Sequence, residues 1–439
     1  MADPVMHYSL DRDLPVVAAA DVVVIGGGPG GLGAAVMAAR AGADTLLVER
    51  YGCLGGMASV GEIHPFMGNH AKGVSLDKPV YIEWIRRMRD YLPPALRATV
   101  PDGGDAASRG ERTIFKDLAM LAAEDLCLEA GVRLLYHHWL ADVTLEGGRI
   151  SAAVLVSKSG FAVVRGKVFI DATGDGDLAA RAGCAFEIGG ASGFCQPMTL
   201  CFKLSGIDRT RMPPGDEITR LYHEAKARGE ISCPRENVLW FTHAQPDVIH
   251  FNTTRVVQKS GVNGCELSEA EIEARRQLRQ YLEFLRRNVP GFEQAAVFSI
   301  AHHIGVRETR RILGLAYLTR ESFTRAEKFA DGIARVSYPI DIHNPLGSGT
   351  EIARLPDGEY YEVPYGCLVP RGCDNLLVGG RPVSVDHAIH SSLRVMPPAC
   401  SIGQAAGMAA AMAVAAGCRP ADLDGCEVRK RLRAAGANL

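Results

Sequence analysis

A glycine-rich turn near the start of the chain is the feature that most restricts what this sequence can fold into. The turn, GGGPGG at residues 26–31, follows the apolar run VVVI and leads into a helix-like segment of small residues. A second apolar run, TLLV, ends immediately before Glu49. A strand, a glycine turn, a helix and a second strand within about thirty residues predict a βαβ unit.

The spaced glycines of this turn, Gly26, Gly28 and Gly31, suit a dinucleotide. In such a motif the first glycine permits a tight turn, the second lets the backbone approach a pyrophosphate, and the third allows close packing of helix and strand. The positive end of the helix faces the phosphates. Glu49 stands where a carboxylate accepts hydrogen bonds from ribose hydroxyls. The alternative is a glycine turn without a ligand, and the motif alone leaves FAD and NAD open.

Composition narrows the class of protein. The 439 residues carry 48 Lys+Arg against 50 Asp+Glu, so the formal net charge is −2. This balance argues against nucleic acid or an anionic membrane as the main partner. There is no apolar run of about 18 residues and no secretory leader pattern, so we expect no membrane span. The 12 cysteines are scattered without metal-ligand spacing. We therefore expect reduced thiols, no metal site and a cytoplasmic protein.

Turn signals divide the chain into a discontinuous outer domain and an inserted middle domain. Strand-like runs separated by Gly147-Gly148 and Ser159-Gly160 predict an antiparallel ribbon. A separate buried strand is expected at residues 168–170. The predicted domains are a nucleotide-binding domain of residues 1–190 and 336–439 and an inserted substrate or cap domain of residues 191–335.

Capping signals predict two long helices in the second half of the chain. The spacing S-x-x-E at residues 268–271 predicts a helix over residues 269–288 that ends before Pro290. Pro397-Pro398 predicts the start of an alanine-rich helix that ends near Gly417.

Two further segments resemble a known family. The second and third cofactor motifs of the FAD-dependent oxidoreductase family are similar to VFIDATGDGDLAARAG, at residues 168–183, and DNLLVGGRPVSVDHAIHSSLRVMPPACSIGQAAG, at residues 374–407. The match is to the branch related to thiazole synthase and fumarate-reductase-type flavoproteins. It implies an α/β fold, in which a FAD-binding Rossmann-like domain of the glutathione-reductase type carries a β-meander insert and an inserted α+β substrate domain.

The resemblance implies FAD as the cofactor and places particular residues around it. Glycines would permit close approach to the flavin phosphate, and the helix after Pro398 would point its positive end at flavin N1 and the C2 carbonyl oxygen. The residues expected at the cofactor are Gly26, Gly28, Pro29, Gly30, Gly31, Glu49, Arg50, Gly55, Gly56, Met57, Ala172, Thr173, Gly174, Asp175, Gly380, Arg381 and Pro398.

The candidate catalytic residues are arginines and histidines. Arg307 and Arg394 lie in the motifs GVRETRRI and SSLRVMPP, and a guanidinium group binds carboxylates bidentately. His387 stands where the family usually has a histidine, which makes it a candidate general base, and His390 is a departure from the family pattern. The alternatives are a structural clamp between domains, with Glu308 as partner, and structural histidines.

We expect an enzyme, a FAD-dependent dehydrogenase or oxidase. It would transfer a hydride between flavin N5 and a small polar, anionic substrate, with O2 or an external electron acceptor because no second nucleotide motif is found. The alternatives are a flavin-dependent monooxygenase and a non-catalytic flavin-binding subunit. The identity of the substrate, the electron acceptor, the direction of the reaction, the covalency of the flavin and a homo-oligomeric state are left open by the sequence.

Overall fold

The computed structural model describes residues 13–97, 112–113 and 115–439. In chain order the strands are β1 (Val16–Ile25), β2 (Thr45–Val48), β3 (His70–Ala71), β4 (Val74–Ser75), β5 (Arg112–Thr113), β6 (Arg133–Leu135), β7 (Trp139–Glu146), β8 (Arg149–Ser157), β9 (Gly160–Asp171), β10 (Phe186–Ile188), β11 (Phe202–Ser205), β12 (Trp240–His243), β13 (Ile249–Phe251), β14 (Ala296–Ile300), β15 (Arg310–Ile312), β16 (Gly332–Val336), β17 (Ile340–His343), β18 (Thr350–Ala353), β19 (Tyr361–Pro364) and β20 (Leu376–Val378). The α-helices are α1 (Pro29–Arg40), α2 (Val80–Asp90), α3 (Pro94–Arg97), α4 (Lys116–Glu129), α5 (Asp177–Arg181), α6 (Gly215–Ala227), α7 (Gly264–Asn288), α8 (Arg320–Thr324), α9 (His387–Leu393), α10 (Met396–Ala416) and α11 (Gly425–Ala434). Short 3₁₀ turns cover Gly56–Ala58, Tyr365–Leu368 and Pro420–Asp422.

A seven-stranded sheet holds the nucleotide-binding motif, in the order β6-β2-β1-β9-β8-β7, with β20 paired to β9. Strands β6, β2, β1, β9 and β20 are parallel, whereas β8 and β7 run antiparallel to their neighbours. The β1 residues 22–25 and the β2 residues 46–48 are apolar and buried, as is typical of parallel strands covered on both faces. The prediction of an α/β fold with a parallel sheet is confirmed.

Strand β9 belongs to both the antiparallel ribbon and the parallel sheet. Its first residues, 160–164, pair with β8, and its last residues, 169–171, pair with β20. The predicted separate strand at residues 168–170 is therefore wrong. Because Gly166 stays in the ladder opposite Ala20 instead of forming a turn, one strand of 12 residues runs through.

Helices α1 and α10 pack against each other at very short range. A Cβ atom on Gly403 would lie 1.9 Å from the Gly30 carbonyl oxygen, and one on Gly33 would lie 2.2 Å from the Cys400 carbonyl oxygen. The two backbones approach this closely because these positions carry no side chain. Helix α10 is long and apolar enough to cross a membrane, with a mean hydropathy of 1.5, but 78% of that window is buried inside the protein.

A second sheet, in the order β14-β11-β13-β12-β5, has its own apolar core. Helices α6 and α7 contribute Tyr222, Tyr281 and Phe284 to this core, where they meet Phe202 and Phe251 of the sheet. The rings of Tyr222 and Tyr281 stack with centroids 5.6 Å apart. Apart from β5, this unit lies within the range that the sequence predicts as an insert, and β5 joins it from the predicted nucleotide-binding domain.

Helix α7 begins five residues before its predicted start, at Gly264 and not at residue 269. Asn263 caps it, because its Oδ1 accepts the backbone N–H groups of the first turn at 3.0 and 3.2 Å. The predicted capping residue Glu271 lies inside the helix and accepts the Ile304 N–H at 2.6 Å.

The predicted domain boundaries stay a prediction, and the packing favours a shorter insert. The main core includes Ile312, Leu318, Phe323 and Ile333, which lie inside the predicted range 191–335. These side chains pack with the strands of the outer unit because the chain re-enters that unit after β14. The part of the insert that packs around the second core therefore ends before Ile312.

Candidate active site

A groove runs along the carboxyl ends of β1, β2, β9 and β20, the edge at which parallel α/β sheets bind ligands. We call it the nucleotide groove, and its volume is about 1060 Å³, including its open mouth. The predicted cofactor positions that line it are Gly26, Gly28, Pro29, Gly30, Glu49, Arg50, Gly56, Met57, Ala172, Thr173, Gly174, Asp175, Gly380 and Arg381.

Three predicted cofactor positions, Gly31, Gly55 and Pro398, lie behind the described lining of the groove. A Cβ atom on Gly31 would lie 1.8 Å from the Gly26 carbonyl oxygen, so this glycine permits packing of α1 on the turn. The Gly55 N–H donates to the Gly27 carbonyl oxygen at 2.8 Å. Pro398 is buried in the first turn of α10. These residues support the groove from behind, and contact of any of them with the cofactor stays a prediction.

Glu49 follows β2 and is only 5% exposed. Its Oε2 accepts the Gly27 N–H at 2.6 Å, and its Oε1 accepts the Tyr51 N–H at 2.9 Å. Burial raises the pKa of Glu49, although these backbone hydrogen bonds oppose the shift. The carboxylate ties the glycine turn to the end of β2, and its remaining lone pairs are available to hydroxyl groups of a ligand.

Aromatic side chains flank Arg50 at one end of the groove. The Arg50 guanidinium carbon lies 4.8 Å from the ring centroid of Tyr51 and 4.9 Å from that of Trp139. Trp139 is 50% exposed, which is high for this residue type. An exposed aromatic surface beside a guanidinium group can stack against a planar ligand.

The loop after β9 is organised by the buried carboxylate of Asp171. Its Oδ1 accepts the Thr173 hydroxyl at 2.7 Å, and its Oδ2 accepts the Ala179 N–H at 2.8 Å. Burial raises the pKa of Asp171 to about 6. The Asp171 carboxylate thus fixes the backbone conformation of the motif ATGDGD that follows it.

Arg381 crosses from the loop after β20 to the loop after β9. Its Nη2 contacts Asp175 Oδ1 at 2.6 Å, and the same oxygen accepts the Thr309 hydroxyl at 2.9 Å. Arg381 also donates to the carbonyl oxygens of Gly174 and Val306. These bonds hold the two strand-end loops together over the groove.

A larger cavity adjoins the nucleotide groove. It encloses about 2940 Å³, including its open mouth. The residues that line both spaces are Met57, Val306, Arg381, Arg394 and Met396. A molecule in the cavity can therefore contact a molecule in the groove.

We call this second space the arginine cavity, because Arg235, Arg307 and Arg394 line it. Arg307 Nη1 donates to the Pro197 carbonyl oxygen and to Thr199 Oγ1, both at 2.6 Å. Burial and the charge of Arg394 lower the pKa of Arg307 to about 9. The guanidinium groups thus repel one another in a poorly solvated space.

Asp341 is an acidic residue on the wall of the arginine cavity. Arg394 Nη2 lies 3.4 Å from Asp341 Oδ2, and His343 Nε2 lies 3.6 Å from the same oxygen. Burial opposes ionisation of Asp341, but the adjacent His343 and the charges of Arg394 and Arg307 hold its pKa below the ordinary value. Burial and the charge of Arg307 lower the pKa of His343 to about 3, so that ring is neutral near neutral pH.

Comparison with known proteins assigns the chain to a family. The sequence pattern of the family described as FAD dependent oxidoreductase matches residues 21–432. The chain belongs to the FAD dependent oxidoreductase family. It is accordingly an oxidoreductase and a flavoprotein with FAD as cofactor, as the sequence analysis predicted.

Individual relatives of this flavoprotein match only part of it. A digeranylgeranylglycerophospholipid reductase of Thermoplasma volcanium is 32% identical over 160 residues, which are 35% of this chain and 39% of that protein. Digeranylgeranylglycerophospholipid reductase 2 of Methanopyrus kandleri is 29% identical over 194 residues, 43% of this chain and 45% of that protein. The matches therefore span less than half the length of these curated relatives.

Two solved structures resemble the flavoprotein over most of its length at low identity. A geranylgeranyl bacteriochlorophyll reductase-like protein of Thermoplasma acidophilum covers 96% of this chain and 84% of its own, with 14% identity and a TM-score of 0.45. A flavin-dependent brominase covers 95% of this chain and 83% of its own, with 16% identity and a TM-score of 0.46.

The nucleotide groove fits FAD on two structural observations. A Cβ atom on Gly28 would meet nothing closer than the Gly56 Cα at 3.8 Å, so the groove is open beside this glycine and a phosphate can approach its backbone. The buried Glu49 carboxylate has only backbone donors as hydrogen-bond partners among the described residues, which leaves it free for ribose hydroxyls. Gly28, Gly56 and Glu49 would hold the phosphate and ribose of FAD.

The two predicted catalytic histidines are not among the described residues that line the groove or the arginine cavity. His387 Nδ1 lies 2.8 Å from Glu308 Oε1, which also accepts Arg311 Nη1 at 2.6 Å. His390 is 0% exposed, and neither of its ring nitrogens has a partner in the described part of the chain. Burial lowers the pKa of His390 well below the ordinary value. A role as general base stays a prediction, and the placement of these residues does not favour it.

Sequence reasoning missed several residues of the two spaces. Tyr51 stands two residues after the strand-end acid, so its position beside the groove could have been inferred from the local sequence. Arg235, Asp341 and His343 lie in segments without a recognisable motif. No local signal marks them, because tertiary packing alone brings them to one cavity.

Proposed function

We propose that this flavoprotein transfers a hydride between flavin N5 and a small polar, anionic substrate that binds in the arginine cavity. The observation that supports this proposal is the shared wall of the cavity and the nucleotide groove, which includes the guanidinium groups of Arg381 and Arg394. When bound, FAD supplies the N5 atom of its isoalloxazine ring as hydride donor or acceptor. O2 or an external molecule would accept electrons in the oxidative direction.

Arg307 and Arg394 would hold the anionic group of the substrate. A guanidinium group binds a carboxylate through two parallel hydrogen bonds. Arg307 uses Nη1 for neutral acceptors, which leaves its other N–H donors for a ligand. Arg394 lies 3.4 Å from Asp341 Oδ2, a long contact that a substrate carboxylate can share. Asp341 would then orient Arg394 in the cavity.

Tyr338 would deliver a proton in the reductive direction. It lines the arginine cavity, and its hydroxyl oxygen lies 3.4 Å from Asp341 Oδ2. Burial and the Asp341 carboxylate raise the pKa of Tyr338 to about 12, so the proton stays on Oη until a stronger base forms beside it. A carbon adjacent to the hydride acceptor would be such a base, and proton transfer from a positioned side chain accelerates this step.

The proposal is tested by anaerobic titration of the FAD-loaded protein with hydroxy acids, amino acids and polyols, following loss of the oxidised-flavin absorbance. The reverse direction is tested by adding unsaturated acids to the chemically reduced protein and following reoxidation. Reaction with an anionic compound, and not with its neutral amide, supports the proposal. Reaction with neutral compounds alone contradicts it.

A substrate with an anionic head and an apolar body is the second candidate. Part of the wall of the arginine cavity is apolar and aromatic, with Phe66, Leu239, Trp240, Phe241 and Ile352. The curated relatives are digeranylgeranylglycerophospholipid reductases by name. Reduction of a double bond in an isoprenoid phospholipid would suit such a wall. Faster reoxidation of the reduced protein by this lipid than by a short unsaturated acid would favour the second candidate.

A further inference from the structure

We propose that the arginine cavity binds a doubly negative group, held between Arg235 and Arg307. The inference rests on the proposed function, because it concerns the substrate of the same cavity. It goes further in two respects: it assigns a binding role to Arg235, and it sets the charge of the group that binds. Two carboxylates or one phosphate have this charge.

Arg235 is a buried cation that forms no ion pair with any carboxylate among the described residues. It is 4% exposed and lines the cavity. Its Nε donates to Asn237 Oδ1 at 3.2 Å, and its Nη1 has no hydrogen-bond partner in the described part of the chain. Its carbonyl oxygen accepts the Tyr222 hydroxyl and Lys226 Nζ, each at 3.0 Å, which fixes the backbone beneath the side chain. The guanidinium group is thus held in place without a carboxylate in contact with it in the described part of the chain.

Arg307 is a second cation of the same kind. Its hydrogen-bond acceptors among the described residues are a carbonyl oxygen and a hydroxyl oxygen, both neutral. The charges of Arg394 and Arg235 repel it and, with burial, lower its pKa. The pKa of Arg307 remains above neutral pH, so the protein carries two poorly solvated positive charges on one wall.

The acidic residues on the wall are already partnered. Glu236 Oε2 lies 3.1 Å from Arg255 Nη1, and Asp341 Oδ2 lies 3.4 Å from Arg394 Nη2. Arg354 also lines the cavity, but its side chain is exposed to solvent. Among the described residues, Arg235 and Arg307 therefore have no carboxylate in direct contact, and the charges of Glu236 and Asp341 reach them only at longer range.

Removing a charge from water without a partner costs free energy, and an anion that accepts several charge-assisted hydrogen bonds recovers it. A singly charged ligand would leave one guanidinium group uncompensated. A doubly charged ligand neutralises both, so we expect the cavity to discriminate on charge more strongly than on size.

The experiment is isothermal titration of the FAD-loaded protein at about pH 8 with three probes: succinate, inorganic phosphate and propionate. Ionic strength is held constant, so that screening is the same for each probe. We expect succinate or phosphate to bind at least tenfold more tightly than propionate. Whichever dianion binds more tightly identifies the source of the charge. Equal binding of propionate and both dianions, or no binding of either dianion, would overturn the inference.

Substitution of Arg235 gives a second, independent readout. Arg235→Gln should weaken binding of the dianion by about 10- to 100-fold, as expected for loss of a hydrogen bond to a charged group, and Arg235→Lys should restore part of it. The matched control is Arg279→Gln on the exposed face of α7. Because Arg235 has no ion-pair partner among the described residues, Arg235→Gln should not lower the thermal midpoint of the ligand-free form. A lower midpoint together with unchanged dianion affinity would show that Arg235 is structural.

The inference and the proposed function can fail separately. Dianion binding without any change of flavin absorbance, for every dianion tried, would retain the cavity as a binding site and contradict hydride transfer from such a substrate. Rapid bleaching by a monoanion that Arg235→Gln does not slow would support hydride transfer and overturn the role of Arg235.

Discussion

The Glu49 carboxylate accepts the backbone N–H of Gly27 at 2.6 Å, so the residue that follows strand β2 is hydrogen-bonded directly to the glycine turn after the neighbouring strand β1. This contact joins β2 to the turn after β1. The acid therefore serves both as a support for the turn and as an acceptor for ribose hydroxyls. Both roles use the oxygen atoms of the same buried side chain.

Replacing Glu49 should weaken FAD binding. We expect Glu49→Ala to lower the affinity of the apoprotein for FAD by about 10- to 100-fold, because it removes hydrogen bonds to a charged acceptor. Glu49→Gln keeps one acceptor oxygen and should have a smaller effect. Flavin fluorescence quenching during reconstitution measures the affinity. Glu146→Ala, on an exposed position of β7, is the control, and equal affinities for both alanine variants would contradict the assignment.

Enlarging Gly403 should destabilise the protein. A Cβ atom there would lie 1.9 Å from the Gly30 carbonyl oxygen, so Gly403→Ala must push α10 away from α1. We expect a loss of about 1–3 kcal/mol in the free energy of unfolding, as for overpacking in other cores. Urea unfolding measures it. Gly264→Ala is the matched control, since a Cβ atom at that helical position meets nothing within 4 Å. It should be neutral or slightly stabilising.

Tyr338→Phe should slow the reductive half of the cycle and leave the flavin bound. Without the hydroxyl proton, reoxidation of the reduced protein by an unsaturated substrate should be about 10²- to 10⁴-fold slower. Stopped-flow absorbance follows this step, and FAD content checks integrity. Tyr317→Phe, which removes a hydroxyl bonded to Glu187 outside both spaces, is the control. A rate unchanged by Tyr338→Phe would exclude Tyr338 as proton donor.

Acid should destabilise the protein through His64. This side chain is buried, its Nε2 contacts the Ala58 carbonyl oxygen at 2.8 Å, and burial with the Lys203 charge lowers its pKa from 6.5 to about 3. Between pH 6.5 and about 3, His64 binds a proton in the unfolded chain but stays neutral in the folded protein. The contribution of His64 is therefore complete above pH 6.5 and declines as the pH falls through the window between 6.5 and about 3.

The corresponding loss amounts to about 2 kcal/mol by about pH 5. Chemical unfolding of the wild type and of His64→Gln across this range measures it. We expect the difference between their unfolding free energies to shift in favour of the variant by that amount. The control is His223→Gln, at an exposed site on α6, whose free energy of unfolding should change with pH as that of the wild type does. If the free energy of unfolding of His64→Gln changed with pH in the same way as that of the wild type, the buried, neutral state of His64 would be contradicted.

Replacing His387 distinguishes its two interpretations. Its Nδ1 contacts Glu308, and Arg311 keeps that carboxylate paired when the imidazole is removed. From this geometry we expect His387→Gln to cost about 1 kcal/mol of stability and to leave flavin reduction by substrate nearly unchanged. Thermal unfolding and anaerobic bleaching measure the two effects. A loss of about 100-fold in the bleaching rate would restore the general-base interpretation.

Local sequence predicted the features in which neighbouring residues determine the structure. The turn at residues 26–31, the strand that ends before Glu49 and the helix after Pro397 each follow from residues adjacent in the chain. Their physical basis is short-range: backbone freedom of glycine, fixed φ of proline and burial of an apolar run. The predicted start of α7, at residue 269, is five residues too late. The helix begins at Gly264 because the Asn263 side chain caps its first turn, upstream of the capping pattern at residues 268–271.

The sequence by itself determined the α/β class, the dinucleotide motif and the resemblance that implied FAD. Only the tertiary structure decided which charged residues share a cavity. Arg235, Arg307 and Asp341 come from distant parts of the chain, and they line one cavity only because of how the insert packs against the outer unit. His387 shows the same limit, because its partner Glu308 lies 79 residues away. Charges at long sequence separation interact through space, and a linear pattern does not contain that distance.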